Sequence, residues 1–194
     1  MSLEPPTPAP ARSGGRHRVV VLGAGLSGLC AGIQLLESGE TDFVILEKAE
    51  TVGGTWRENT YPGVACDVPS HLYSFSFELN PDWTHAFSPG REIWDYCERC
   101  VEKYGLGPHL RFGEEVVSAR FDDGRWLVQT ASGAAYEADV VVSGLGGLHV
   151  PKRAELDGLE AFPGTRFHTA LWDHAHDLRG KRVAIVGTGA SGAQ

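Results

Sequence analysis

The stretch Arg18–Gly32, RVVVLGAGLSGLCAG, decides the fold. Four apolar residues, Val19 to Leu22, end abruptly at Gly23, and helix-forming sequence begins three residues later. The glycines Gly23, Gly25 and Gly28 stand at G-x-G-x-x-G spacing on this strand-to-helix turn. The chemistry such a turn serves is pyrophosphate binding. Gly23 permits the tight turn, Gly25 keeps side chains away from the phosphates, and Gly28 lets the helix pack close to the strand. The helix start, with Leu26 and Ser27, offers unpaired N–H groups and a partial positive charge.

Outward from this turn, the spacing of Leu29, Ile33 and Leu36 predicts a helix over Leu26–Ser38, closed by Gly39. Phe43–Leu46 reads as a buried parallel strand with Glu47 at its end, 19 positions after Gly28. An acid about 20 residues on is placed to accept from the ribose hydroxyls of an adenosine. Strand, glycine turn, helix, strand and acid together predict a dinucleotide-binding βαβ unit.

Composition limits the alternatives. A net charge of −8 argues against sequence-independent nucleic-acid or anionic-membrane binding. No apolar run approaches the ~20 residues of a membrane span. Cys30, Cys66, Cys97 and Cys100 are too few and too irregular for a disulfide scaffold, which suits a reducing cytoplasm. The Pro-, Ala-, Ser- and Gly-rich segment up to about residue 16 reads as a disordered tail without a targeting pattern.

Glu50–Glu78 lacks periodicity and is rich in glycine, proline and aromatics, so it reads as a long ordered loop. Trp56, Tyr61, Tyr73 and a buried-type acid, Asp67, would suit a planar cofactor; cover for the core suits the same composition. Arg57, next to Trp56, would suit either a phosphate or the cofactor ring, and the sequence does not decide between them. Ser88 as N-cap and Pro89 at the first position predict a helix to Tyr104. Its apolar face carries Cys97-x-x-Cys100, which reads as core rather than a redox or metal dithiol.

Beyond Leu110 the period becomes two. Leu110–Phe112, Val116–Phe121, Arg125–Thr130 and Ala134–Ala138 read as strands, with Asp139–Val142 as a further buried strand. Residues 145–179 read as a connection. Lys181–Val186 then reads as a strand before a second G-x-G-x-x-G, Gly187, Gly189 and Gly192, and the sequence stops at Gln194.

Two further motifs carry a family resemblance. G-x-W-x4-Y-P-G-x3-D is present as Gly54, Trp56, Tyr61, Pro62, Gly63 and Asp67. F-x-G-x3-H-x3-W-[PD] is present as Phe162, Gly164, His168, Trp172 and Asp173. With both glycine fingerprints, from Arg18 to Gln194, the chain resembles the type I Baeyer–Villiger monooxygenases, within the class B flavin-containing monooxygenases. The implied fold is α/β: a Rossmann-like FAD-binding domain with a β-meander, followed by the start of a second Rossmann-like NADPH-binding domain. The expected divisions are a tail over 1–16, the N-terminal part of the FAD domain over 17–147, a linker over 148–180 and a truncated NADPH domain over 181–194.

The resemblance implies FAD on the first fingerprint. Glu47 and Lys48 would sit by its adenosine ribose, Val116 would meet the adenine through its backbone, and Gly54, Thr55, Trp56, Asp67 and Tyr73 would lie by the flavin. It implies NADPH on Gly187, Gly189, Ser191, Gly192 and Gln194. The implied reaction is insertion of oxygen from O2 into a ketone, through a peroxyflavin, to give an ester or lactone. Asp67 would have the catalytic role of orienting an arginine that lies later in family chains. Phe162, Gly164, His168 and Trp172 would couple domain movement to turnover, in preference to acid–base work by His168. His174 and His176 read as solvated loop, and no metal is expected. The chain alone is expected to be inactive. N- or S-oxygenating flavin monooxygenases and a non-catalytic FAD-binding module remain open. A flavin-disulfide reductase fits poorly, because Trp56–Asn59 stands where that family has its cysteine pair.

Overall fold

The computed structural model describes residues 12–148 and 150–194. They form two compact units. The first comprises the described residues up to Val52 and Cys97–Gly146; the second comprises Gly53–Tyr96 and Gly147–Gln194.

The first unit is built on one six-stranded sheet. Its strands are β1 (Arg12–Leu22), β2 (Phe43–Leu46), β3 (Leu110–Arg111), β4 (Val116–Asp122), β5 (Arg125–Thr130) and β6 (Ala134–Ser143), in the order β3-β2-β1-β6-β5-β4. The four strands β3-β2-β1-β6 run parallel, and β5 and β4 add an antiparallel ribbon at one edge. This is the expected Rossmann-like arrangement with its meander. Helix α1 (Leu26–Glu37) makes the crossover from β1 to β2, with Gly28, Leu29, Gly32 and Ile33 buried. Gly39, at φ 83°, ends it in the left-handed conformation that glycine adopts without strain. Val20, Val44, Leu46, Val128, Tyr136 and Ala138 form the packed interior on the sheet.

Three expectations are corrected here. Residues 12–16 are not tail: β1 starts at Arg12, and its first half pairs with Ala134–Ala138 of β6. Composition misleads because Gly14 reads as a flexible residue. A Cβ on Gly14 would lie 2.6 Å from three ring atoms of Tyr136, so the glycine makes room for the ring. Ala134–Ala138 and Asp139–Val142 are one strand, with β5 on one side and β1 on the other. Its second half is less buried than expected, since Val140 is 50% exposed.

The second unit has little regular structure. Helix α2 (Thr55–Glu58) follows two glycines at positive φ, Gly53 at 116° and Gly54 at 52°. The long loop is tied by its backbone to residues 86–90: Cys66 N–H donates to Ser88 O (2.9 Å), Ser70 N–H to Ala86 O (2.8 Å) and Gly90 N–H to Val64 O (2.9 Å). The buried hydroxyl of Ser88 donates to Ser70 Oγ at 2.7 Å. Helix α3 (Gly90–Tyr104) starts within this unit, and its residues from Cys97 onward belong to the first unit. Lys181–Val186 forms no strand, which corrects the reading of residues 181–186, and Val183, Ile185 and Val186 are exposed. A strand exists only through its ladder to a neighbour, and no described residue pairs with this segment. The last element is the four-residue helix α4 (Ala190–Ala193).

Gly14→Val forces the Tyr136 ring to move and is expected to cost about 1–3 kcal/mol. A urea midpoint equal to that of the wild type would show that residues before Arg18 add nothing to the sheet.

Candidate functional site

In the first unit the glycine turn is set by backbone contacts. Gly23 has φ 92°, and a Cβ there would lie 2.8 Å from the Gly144 carbonyl oxygen. A Cβ on Gly28 would lie 1.8 Å from the Gly23 oxygen. Gly144 closes the group, with N–H donating to Leu22 O at 2.8 Å. Gly144 is a third obligatory glycine of this turn, and only its place at the end of an apolar run marks it in the sequence. Gly25 is the N-cap of α1 in extended conformation (φ −78°, ψ −173°), without a side-chain cap among the described residues. No acid lies in the first turn. The leading N–H groups of a helix have no intrahelical acceptor, so Leu26 and Ser27 begin a turn suited to an anion.

Glu47 directly follows β2 and is buried beside this turn. Its Oε2 accepts from Ala24 N–H at 2.8 Å, and its Oε1 accepts from Ala49 N–H at 3.0 Å. Thus the acid anticipated from spacing is bonded to the backbone between Gly23 and Gly25. Lys48, next along, is exposed, and Val116 opens β4 opposite Thr130.

In the second unit, Trp56 and Tyr73 meet. Trp56 Nε1 donates to the Tyr73 hydroxyl at 3.2 Å, and the rings are T-shaped at 5.5 Å. Such a pair contributes about 1 kcal/mol beyond its burial. Gly54 is the N-cap of α2, and Thr55 Oγ1 accepts from Asn59 Nδ2 at 3.0 Å. Arg57 pairs with Glu58 at 2.9 Å. Asp67 is exposed, which corrects its reading as a buried-type acid. Its neighbour Cys66 is the buried residue of that turn, so polarity alone misassigned the inward position.

The second fingerprint repeats the local geometry of the first. Gly187 has φ 120°, and a Cβ on Gly192 would lie 2.8 Å from the Gly187 oxygen. Gly189 is the extended N-cap of α4 (φ −73°, ψ 176°). Sequence reasoning missed what holds this turn. Tyr61 hydroxyl lies 2.7 Å from Gln194 Oε1 and 3.2 Å from Ser191 Oγ, and Gln194 Nε2 donates to Ala65 O at 2.7 Å. Thr60 Oγ1 is 2.8 Å from His174 Nε2, so His174 is tied down rather than simply solvated.

The linker motif is a chain of local contacts. Phe162 lies over Gly164, where a Cβ would come within 2.5 Å of the ring. His168 Nδ1 accepts from Ala170 N–H at 3.1 Å, so that nitrogen carries no proton and the ring caps the turn Thr169–Leu171. Trp172 packs edge-on against Phe167 at 5.0 Å.

Cys97 is fully buried, and burial, reinforced by neighbouring Cys100, pushes its thiol up to about 12. The unfolded thiol ionises near 9.0. Between these values the unfolded state binds fewer protons, so stability falls as pH rises, by at most about 1.4 kcal/mol per unit. Cys97→Ala should remove this component. Urea midpoints of variant and wild type are therefore expected to converge between about pH 9 and about pH 11; an unchanged gap would refute it.

Comparison with known proteins adds three findings. The family model for pyridine nucleotide-disulphide oxidoreductases matches residues 20–194. A Baeyer–Villiger monooxygenase of Streptomyces coelicolor is 53% identical over 179 residues, covering 91% of this chain and 34% of that protein. One from Pseudomonas aeruginosa is 51% identical over 191 residues, covering 97% and 36%. The crystal structure of cyclohexanone monooxygenase from Rhodococcus sp. Phi1 bound to NADP+ superposes with TM-score 0.80 at 40% identity, covering 93% of this chain and 35% of that one. The chain thus spans about a third of the length of these relatives. The dithiol suggested by the family model's description is absent after Gly54-Thr55, where Trp56 and Arg57 stand. The chain belongs to the pyridine nucleotide-disulphide oxidoreductase family, with Baeyer–Villiger monooxygenases as its relatives.

Proposed function

We propose that this chain supplies the FAD-binding elements and the first NADPH-binding elements of a monooxygenase that uses O2 to convert a ketone into an ester or lactone. The observation that carries the reading is the first glycine turn with its buried acid. Gly23, Gly28 and Gly144 leave no room for a Cβ, and Glu47 is bonded to Ala24 inside the turn. These donors and acceptors fit an adenosine diphosphate moiety. The pyrophosphate is held at Gly25, Leu26 and Ser27 on the N–H groups of α1, while Glu47, beside Lys48, accepts from the ribose hydroxyls. The Val116 backbone serves the adenine.

Gly54, Thr55, Trp56, Tyr73 and Asp67 are assigned to the flavin end on the strength of the motif they share with the relatives. The Trp56–Tyr73 pair fixes a rigid aromatic edge there. Asp67, exposed in the unit that holds it, has the reach to orient a cation, which is the role assigned to it. Gly187, Gly189, Ser191, Gly192 and Gln194 are assigned to NADPH because their turn repeats the geometry of the first. Bound flavin supplies hydride acceptance from NADPH and activation of O2; the residues named here bind and orient. The Phe162–Trp172 motif is assigned to coupling domain movement with turnover, and the His168 cap of Thr169–Leu171 and the Phe162 ring over Gly164 give it local order. No helix among the described residues is long and apolar enough to cross a membrane. Free cysteines at positions 30, 66, 97 and 100 support a cytoplasmic setting.

Two experiments test the reading, both on the polypeptide encoded by the complete reading frame. Ketone-dependent NADPH oxidation with equimolar ester is expected. Formation of peroxide alone with every ketone tried would overturn it, and sulfide or amine oxidation without ester would reassign it to heteroatom oxygenation. Glu47→Gln places an amide where Ala24 N–H needs an acceptor. FAD affinity is expected to fall about tenfold or more, read by equilibrium dialysis. Undiminished binding would remove Glu47 from the site.

A further inference from the structure

Helix α4 has four residues, and isolated helices shorter than ~12–15 residues are marginal. The segment before it, residues 181–188, joins no sheet among the described residues. Among the described residues, one loop of the same unit, Thr60–Ala65, meets the turn Gly187–Gly192 and the residue that ends α4. Tyr61 is 6% exposed, and its hydroxyl lies 2.7 Å from Gln194 Oε1 and 3.2 Å from Ser191 Oγ. A phenol has one proton. It goes to the closer amide oxygen, with Ser191 Oγ as the longer, second acceptor of the same hydroxyl. The other end of the Gln194 amide donates to Ala65 O at 2.7 Å, so both its ends are matched. Two residues on from Tyr61, Gly63 stands at φ 86°, where a Cβ would lie 2.8 Å from the Gln194 carbonyl oxygen. Side chain and backbone of the loop thus grip the same terminus of α4.

We infer that Tyr61 is a positioning residue for the second glycine fingerprint: acting through Gln194 and Ser191, it sets the aim of the Gly187–Gly192 turn at the pyrophosphate of a nicotinamide dinucleotide. The inference rests on the reading of that turn as the NADPH site. It assigns to the Y-P-G part of the first motif a duty toward the second nucleotide rather than toward the flavin. Tyr61→Phe keeps the buried ring and removes only the hydroxyl, so it separates aim from packing.

The test uses the FAD-loaded product of the complete reading frame and measures the Kd of NADP+ by calorimetry, with FAD content from absorbance. Wild type, Tyr61→Phe, Gln194→Leu and the double variant are compared. Tyr61→Phe is expected to raise the Kd about three- to tenfold with FAD content unchanged. The losses in Tyr61→Phe and Gln194→Leu are expected to fall short of additive in the double variant, since one residue acts through the other. A Tyr61→Phe Kd within about twofold of wild type, full additivity, or FAD loss in parallel would each overturn the inference while leaving the NADPH reading intact. Wild-type protein that holds FAD but takes no NADP+ would overturn that reading, and the inference with it.

Discussion

The first unit depends on how closely backbone can pass backbone at one corner. The Gly23 carbonyl, the Gly28 α-carbon and the Gly144 amide and carbonyl meet there with no space for a methyl group between them. Helix α1 can approach β1 only through this gap, and the same approach buries Leu29 and Ile33 against the sheet. Once the helix is seated, its N-terminus faces out of the turn, and Glu47 is brought within bonding distance of Ala24. Packing and turn geometry are thus a single constraint: the residues that let the helix close on the sheet are the glycines of the turn itself.

The second unit is organised on another principle. It has almost no ladder or long helix of its own, and it is held by pairs of loops. Residues 64–70 exchange backbone bonds with residues 86–90, and Thr60–Ala65 receives His174, Ser191 and Gln194. Tyr96 adds a further tie by accepting from Phe75 N–H and donating to Glu78 O. Such a unit keeps its shape through polar contacts of defined direction, which specify geometry more sharply than apolar burial does.

What could be read from sequence was what repeats locally. The period of α1, the apolar run of β2, the glycine spacing and the alternation of the meander are each written within a dozen residues. The contacts that failed to show are of two kinds. Some link residues far apart: Tyr61 and Gln194 are separated by 133 positions, and no local pattern announces them. Others turn on context that composition inverts. Arg12–Arg16 looks like tail because it contains Gly14, yet that glycine is the seat of the Tyr136 ring. Lys181–Val186 looks like a strand because it is apolar, yet no described neighbour pairs with it. Asp67 reads as an inward acid, yet the buried position belongs to Cys66. The motifs were legible as signatures, while the side on which each residue works was not.

Gly63 shows why that distinction matters. Its side-chain-free surface faces the carbonyl of Gln194, a part of the same polypeptide. A family signature containing such a glycine is partly a mould of the protein's own interior. Homologues that alter the second fingerprint would then be free to relax the first. Drift in the Y-P-G triplet can therefore report a remodelled neighbour even where the flavin pocket has stayed the same.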